Sequence, residues 1–130
     1  MSEASFEIEI RGGEADAAVM RFRPGETLQG SVKITPQSDL QARHVYIRLL
    51  WHTEGRGDRD QAIVAEQDVF QGVLKAAVPA YHSFHFRLPL QPWSYAGHYI
   101  NIVWEIEASI DLALARDPRA QKAFVLAPDP

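Results

Sequence analysis

A chain of 130 residues has length for one domain, burying roughly two-thirds of its unfolded surface without disulfide or metal staples. Its 46% hydrophobic and 23% charged residues exclude intrinsic disorder, and 13 Lys+Arg against 17 Asp+Glu, a formal net charge of −4, argues against general nucleic-acid binding. The absence of cysteine removes disulfides, thiolate-bound zinc, iron–sulfur clusters and thiol nucleophiles.

Period-two patterning dominates. Phe6, Ile8 and Ile10 alternate with Glu7, Glu9 and Arg11, the signature of a strand with one buried and one wet face. Pro24-Gly25 fits a type II turn, proline fixing φ at the first corner and glycine supplying positive φ at the second. Leu28, Val32 and Ile34 then alternate with Gln29, Ser31, Lys33 and Thr35, with Gly30 falling on the apolar face. Val45, Ile47, Leu49 and Trp51 define a third strand whose other face, with Tyr46 and Leu50, is partly apolar. Gly55 to Asp60 is a polar, glycine-punctuated loop. Further strands are expected over Ala62–Phe70 and through Phe84, Phe86 and Leu88. Pro89, Pro92 and Gly97 bracket a connection no helix crosses.

The strongest segment runs from His98 to Asp111, with Ile100, Ile102, Trp104, Ile106, Ala108 and Ile110 all on even positions. Steps of about 200° would scatter these groups around a helix, whereas on a strand they form one row. At about 3.3 Å per residue such a strand exceeds ~40 Å, long enough to expect a bend or bulge. One short helix is expected over Asp117–Gln121, with Asp117 as cap and Pro118 in the first turn, before a final strand at Ala123–Leu126. Short strands, frequent turns and almost no helix predict an all-β antiparallel sandwich, a single domain over residues 1–130.

The order of motifs resembles arrestin-type domains. Phe22 to Val32 resembles the family's turn and strand of the form PGE followed by apolar-x-Gly-x-Val, and Val45–Leu49 follows at the expected distance. Ser83–Pro89 resembles its F-x-F-x-L-P strand, Pro92–Gly97 its P-x-S-aromatic-x-G loop, and Ile102–Ala108 its I-x-Y-x-V-x-A strand, with Trp104 where Tyr is common. The resemblance covers residues 6 to 126 and implies an immunoglobulin-like sandwich of the arrestin, retromer-subunit and bacterial sporulation-control type. Eukaryotic arrestins pair two such units, and this length holds one. The basic phosphate-sensing residues and charged interdomain core of receptor-binding arrestins find no match, so receptor desensitisation does not carry over. The resemblance implies a non-catalytic scaffold that binds other proteins.

The residues offer little competing chemistry. Of the five histidines, His44, His52, His82, His85 and His98, the pair His82/His85 is spaced to point to opposite faces of a strand, where zinc needs convergent ligands. Neither a metal nor a cofactor is expected. Asp58-Arg59-Asp60 lacks the remaining positions of a calcium loop, and Arg56-Gly57-Asp58 is a three-residue match to integrin-binding motifs, read here as a solvated loop. Glu105 and Glu107, about 7 Å apart by strand rise, have the spacing of a glycosidase pair, but alternating glutamates also mark the wet face of an amphipathic strand. No nucleophile elbow or phosphate loop accompanies them.

The candidate partner contacts are Trp93, in the proline-rich connection, and Arg56 and Arg59 in the polar loop. Trp93 has a competing role as an end cap packing on Tyr95, while Trp51 and Trp104 fall in apolar rows and belong to the core. The expected function is a protein-interaction module, adaptor or assembly subunit, associating with itself or another protein through an unpaired sheet edge. The alternative is a small-ligand or carbohydrate-binding sandwich with Trp93 and Tyr81 as platform. Met1-Ser2-Glu3-Ala4 lacks the basic start and apolar run of a signal peptide, and no apolar run reaches the roughly 18 residues of a membrane span. A cytoplasmic location is therefore expected, with peripheral membrane association left open.

Overall fold

Alternation becomes strand wherever it is strong in the computed structural model, which describes residues 3–57, 59–97 and 100–128. In chain order the strands are β1 (Ala4–Arg11), β2 (Glu14–Asp16), β3 (Val19–Phe22), β4 (Thr27–Pro36), β5 (Leu40–Gly55), β6 (Gln61–Leu74), β7 (Ala80–Arg87), β8 (Tyr95–Ala96), β9 (Ile100–Leu112) and β10 (Arg119–Leu126). A three-stranded sheet, β1-β4-β7, lies over a seven-stranded sheet ordered β2-β3-β10-β9-β5-β6, with β8 added to β9. Every pairing is antiparallel except a short parallel match of β3 with β10.

The core is one cluster built from the inward rows of both sheets. Leu28, Val32, Ile34, Phe84 and Phe86 descend from the small sheet onto Val45, Ile47, Leu49, Trp104, Ile106, Ile110, Phe124 and Leu126 of the large one. Fully burying each such side chain contributes about 1.5–3 kcal/mol, which is why register is pinned: a one-residue slip would send the whole row into water. Gly30 lies under the Phe84 ring and beside the Glu9 carbonyl of β1, leaving no room for a side chain. The Pro24-Gly25 turn forms as expected, with Gly25 at φ 83° and the Glu26 N–H donating to the Arg23 carbonyl at 3.2 Å. Trp104 is completely buried and donates its indole N–H to the Pro92 carbonyl at 2.8 Å. Trp51 is only half-buried and packs at the core's margin.

Four departures from the sequence reading have physical causes. Asp117–Gln121 is not helical: Pro118 accepts from the Ile110 N–H at 3.0 Å, Asp117 Oδ1 accepts from the Leu112 N–H at 3.0 Å, and β10 begins at Arg119. The end of β9 thus offers this segment pairing that a single isolated helical turn cannot match. The β2–β3 hairpin escapes the pattern because its strands are short and its positive-φ turn residue is Ala17, at 54°, rather than glycine or asparagine. β8, a strand of two residues, is too short to carry an alternation of its own. The even row of β9 is buried only from Trp104 onward, since Ile100 is 43% exposed where the strand outruns the small sheet. Irregularity falls on the partners of this long strand, where pairing shifts register between Ala42 and His44 of β5 and at three points along β5–β6.

Candidate functional site

The outer face of the large sheet is where the expectation of a simple wet surface fails. Even-numbered residues of β5, from His44 to His52, point away from the core, yet Leu50 and His52 are buried, as are Glu107 and Ser109 on β9. Register explains it. Arg48 stands directly opposite Glu66 on β6 and Glu107 on β9, so both neighbouring strands present a carboxylate to one guanidinium. Its Nε donates to Glu66 at 2.6 Å, and one Nη reaches Glu107 at 3.5 Å and the Ser109 hydroxyl at 3.3 Å. The guanidinium also lies 4.6 Å over the Tyr46 ring, which in turn stacks on His44 at 5.2 Å. His44 meets Asp68 at 2.6 Å.

Next to this ladder, His52 is bracketed by carboxylates, Nδ1 to Glu105 at 3.0 Å and Nε2 to Glu54 at 2.8 Å. Burial pushes the Glu105 carboxyl upward from its ordinary value; His52 and Arg59 pull against that rise and Glu107 adds to it. Glu107 completes its bonding by accepting from Gln121 of β10 at 2.9 Å. Glu105 and Glu107 are therefore not the solvated glutamates of a wet face. Glu105 is held by His52, and Glu107 by Arg48 and Gln121, in a half-buried polar cluster spanning β6, β5, β9 and β10.

This cluster floors a cavity of about 470 Å³, lined by His52, Glu54, Arg59, Gln61, Glu105, Glu107, Arg119 and Gln121. A second groove of similar size opens on the same face beside the β2–β3 hairpin. Its lining is mainly apolar, with Val19, Val103, Val125 and Tyr95 among its walls. No group of three or more acidic or histidine side chains is arranged to hold a metal ion among the described residues.

The sheet edges differ in character. β2 is a three-residue stub, and β1 carries Glu7, Glu9 and Arg11 along its length. The second half of β6 approaches β7, the Gln67 amide donating to the His85 carbonyl at 2.7 Å and Phe70 packing on His82. The first half of β6, Gln61–Ala65, carries no charge and has β5 as its sheet neighbour on one side, with Ile63 53% and Val64 43% exposed. Val64 is the extra residue of a bulge, since Leu49 faces Ala65 and Leu50 faces Ile63.

Arg56 and Arg59 share the wall of a small cavity with Thr53, Glu54 and Ile100, where β5 turns toward β6. Trp93 lines neither that cavity nor the polar one; its indole is half-exposed, with the N–H donated to the Leu90 carbonyl at 2.9 Å. Both features sit at the same end of the large sheet, because the Ser94 N–H donates to Leu126 at the end of β10 and Gly55 pairs with Ile100 at the start of β9. Tyr81 is exposed on the outer face of the small sheet and lines none of these cavities. His82 faces inward and His85 outward, as their spacing implied. His98 and Asp58 lie outside the described residues.

The sequence matches no family model and no curated protein. Among solved structures, the fold is similar to that of Spo0M, a sporulation control protein from Bacillus subtilis, with a TM-score of 0.73 at 15% identity. The likeness covers 99% of this chain and 51% of Spo0M, so the chain spans about half that protein's length. At this identity the likeness shows the fold, an all-β sandwich of arrestin type. Among the described residues no helix is long and apolar enough to cross a membrane.

Proposed function

We propose that this chain is a non-catalytic protein-interaction module, a cytoplasmic adaptor or assembly subunit built on one sandwich. It associates through the free edge of β6. The observation that carries the reading is the stretch Gln61–Ala65, an uncharged edge segment with Ile63 and Val64 exposed. Unpaired edge N–H and C=O groups form a ladder that an extended segment of another chain completes; Gln61–Ala65 carries neither charge nor proline to blunt it, and the bulge at Val64 is the interruption a partner strand must accommodate. Arg56 and Arg59 flank the entry to this edge and supply rim contacts to the incoming strand. Trp93, at the same end of the sheet, is a separate contact whose side chain is half-exposed. A second copy of the chain is one such partner.

The test uses Ile63→Lys and Val64→Lys, both at exposed positions where folding is spared. Association is followed by affinity capture from native cells and by light scattering of the purified protein. A lysine on the edge should abolish association while the thermal midpoint stays within about 2 °C of wild type. Partners retained at wild-type stoichiometry by both variants would overturn the edge reading.

A further inference from the structure

We infer that His82 is a proton-sensitive latch on the seam between the two sheets. Its release lengthens the stretch of β6 that a partner can reach, a consequence that rests on β6 being the associating edge. β6 and β7 each end a sheet and share no backbone ladder. Where they meet, the Gln67 side-chain amide donates to the His85 carbonyl at 2.7 Å, and the Phe70 ring lies 5.7 Å from the His82 ring, tilted by 45°. These contacts cover the second half of β6 and leave Gln61–Ala65 as its open half. A seam held by side-chain ties opens at less cost than a strand leaving its ladder.

The chemistry of His82 supplies the trigger. Its ring faces inward from β7, and its Nε2 is buried with no hydrogen-bond partner. The neutral imidazole meets this by carrying its N–H on Nδ1, so that only a lone pair is buried. The imidazolium carries an N–H on both nitrogens and needs an acceptor that Nε2 lacks. No charged group turns toward it. Along β7 the inward neighbours are Ala80 and Phe84, and Val32 of β4 stands opposite in register. Lys33 of β4, and Tyr81 and His85 of β7, lie on the outer side of the small sheet. On β6, Glu66 and Asp68 lie on the outer face of the large sheet, bonded to Arg48 and His44. Burial holds the His82 pKa below its ordinary value, with no neighbouring charge acting on it. In acid the added proton is solvated once the ring swings out of the seam, which removes the Phe70 contact and leaves the Gln67 bond to hold β7 against β6. When that seam parts, the free edge extends from Gln61–Ala65 toward the whole strand, Gln61–Leu74.

The experiment is an NMR titration of the dilute, isotope-labelled full chain from about pH 7.5 to about pH 5, the range in which histidines charge. A neutral gadolinium chelate in solution reports which side chains become open to solvent. The nuclear Overhauser contact between Phe70 and His82 should fall, and broadening of Phe70 and Val69 should rise, both in step with the protonated fraction of the His82 ring. Trp104 and Ile106 should stay shielded throughout. In His82→Phe the shielding of Phe70 should hold across the whole range. In Gln67→Ala the opening should move to higher pH by about half a unit or more, because a weaker seam takes up the proton more readily. A Phe70–His82 contact that persists once the ring is protonated would overturn the latch. So would equal opening of the seam in His82→Phe, or loss of Trp104 shielding together with that of Phe70, which marks global unfolding. These readings need no partner. Their failure leaves the edge test with Ile63→Lys standing, and partners retained by Ile63→Lys would leave these readings standing.

Discussion

Replacing Gly30 by alanine tests how tightly the small sheet is drawn together. Gly30 pairs with Ile10 of β1 and Phe84 of β7, and its φ is not in the left-handed region, so the constraint is space alone. A methyl there would collide with the Glu9 carbonyl oxygen and stand 2.6 Å from Phe84 Cζ. Phe84 is buried against Phe86, at 6.0 Å between ring centroids, and cannot rotate away without opening the core. Relief therefore requires β1 to slide off β4, weakening two or so ladder hydrogen bonds at about 1 kcal/mol each. Displacing Phe84 costs a further 1–3 kcal/mol or so, and the smaller chain entropy of alanine returns about 0.5–1 kcal/mol. The expected net loss is about 2–4.5 kcal/mol, a drop in thermal midpoint on the order of 10 °C for a domain of this size. Urea unfolding followed by tryptophan fluorescence and circular dichroism measures it directly. Gly57→Ala is the comparator: nothing lies within 4 Å of its added methyl, but φ is +94°, so strain alone should cost about 1 kcal/mol. An unfolding midpoint for Gly30→Ala at or above that of Gly57→Ala would refute the packing argument.

Other perturbations probe the sheet's outer face, the core and one half-buried histidine. Arg48→Leu strands the buried Glu107 carboxylate and should cost about 3 kcal/mol, whereas Arg48→Leu/Glu107→Leu should recover most of it; a double variant as unstable as the single would dismiss the pairing. His82 has its Nε2 buried without a hydrogen-bond partner, and burial holds its pKa below the ordinary 6.5. The unfolded chain therefore binds the proton more readily, so this residue's contribution to stability is present above about pH 6.5 and is lost as pH falls toward the depressed folded value. His82→Phe should flatten that part of the pH–stability profile and, by removing the unpaired polar atom beside Phe70, stabilise by on the order of 1 kcal/mol; an unchanged profile would assign the loss elsewhere. Trp104→Phe leaves the Pro92 carbonyl without its donor and a void beside Phe124, with an expected cost of about 2–3 kcal/mol in denaturant titration.

The fold was legible because its main rows are long and strictly alternating. Phe6 to Ile10, Leu28 to Ile34, Val45 to Leu49 and Trp104 to Ile110 each commit a whole face to the core, and no helix buries the same residues. The Pro24-Gly25 turn is encoded locally by the dihedral limits of those two residues. Arg56, Arg59 and Trp93 were visible as polar-loop and linker residues, and exposure follows from those positions.

What tertiary structure alone decided is how separate strands face one another. Glu105 and Glu107 look like solvent-facing residues in sequence, because nothing in β9 records that Arg48 arrives in register beside one and that His52 bonds the other. Only the assembled sheet turns those charges into a half-buried cluster of paired groups. That β6 ends the large sheet is likewise a property of strand order, set by which pairings close. So is the strand fate of Asp117–Gln121, where β9 hydrogen bonds outweigh a capping signal that five residues cannot turn into a helix. Periodicity within one strand is a local property of the chain; charge pairing and edge exposure are relations between strands far apart in sequence, fixed only when the core brings them together.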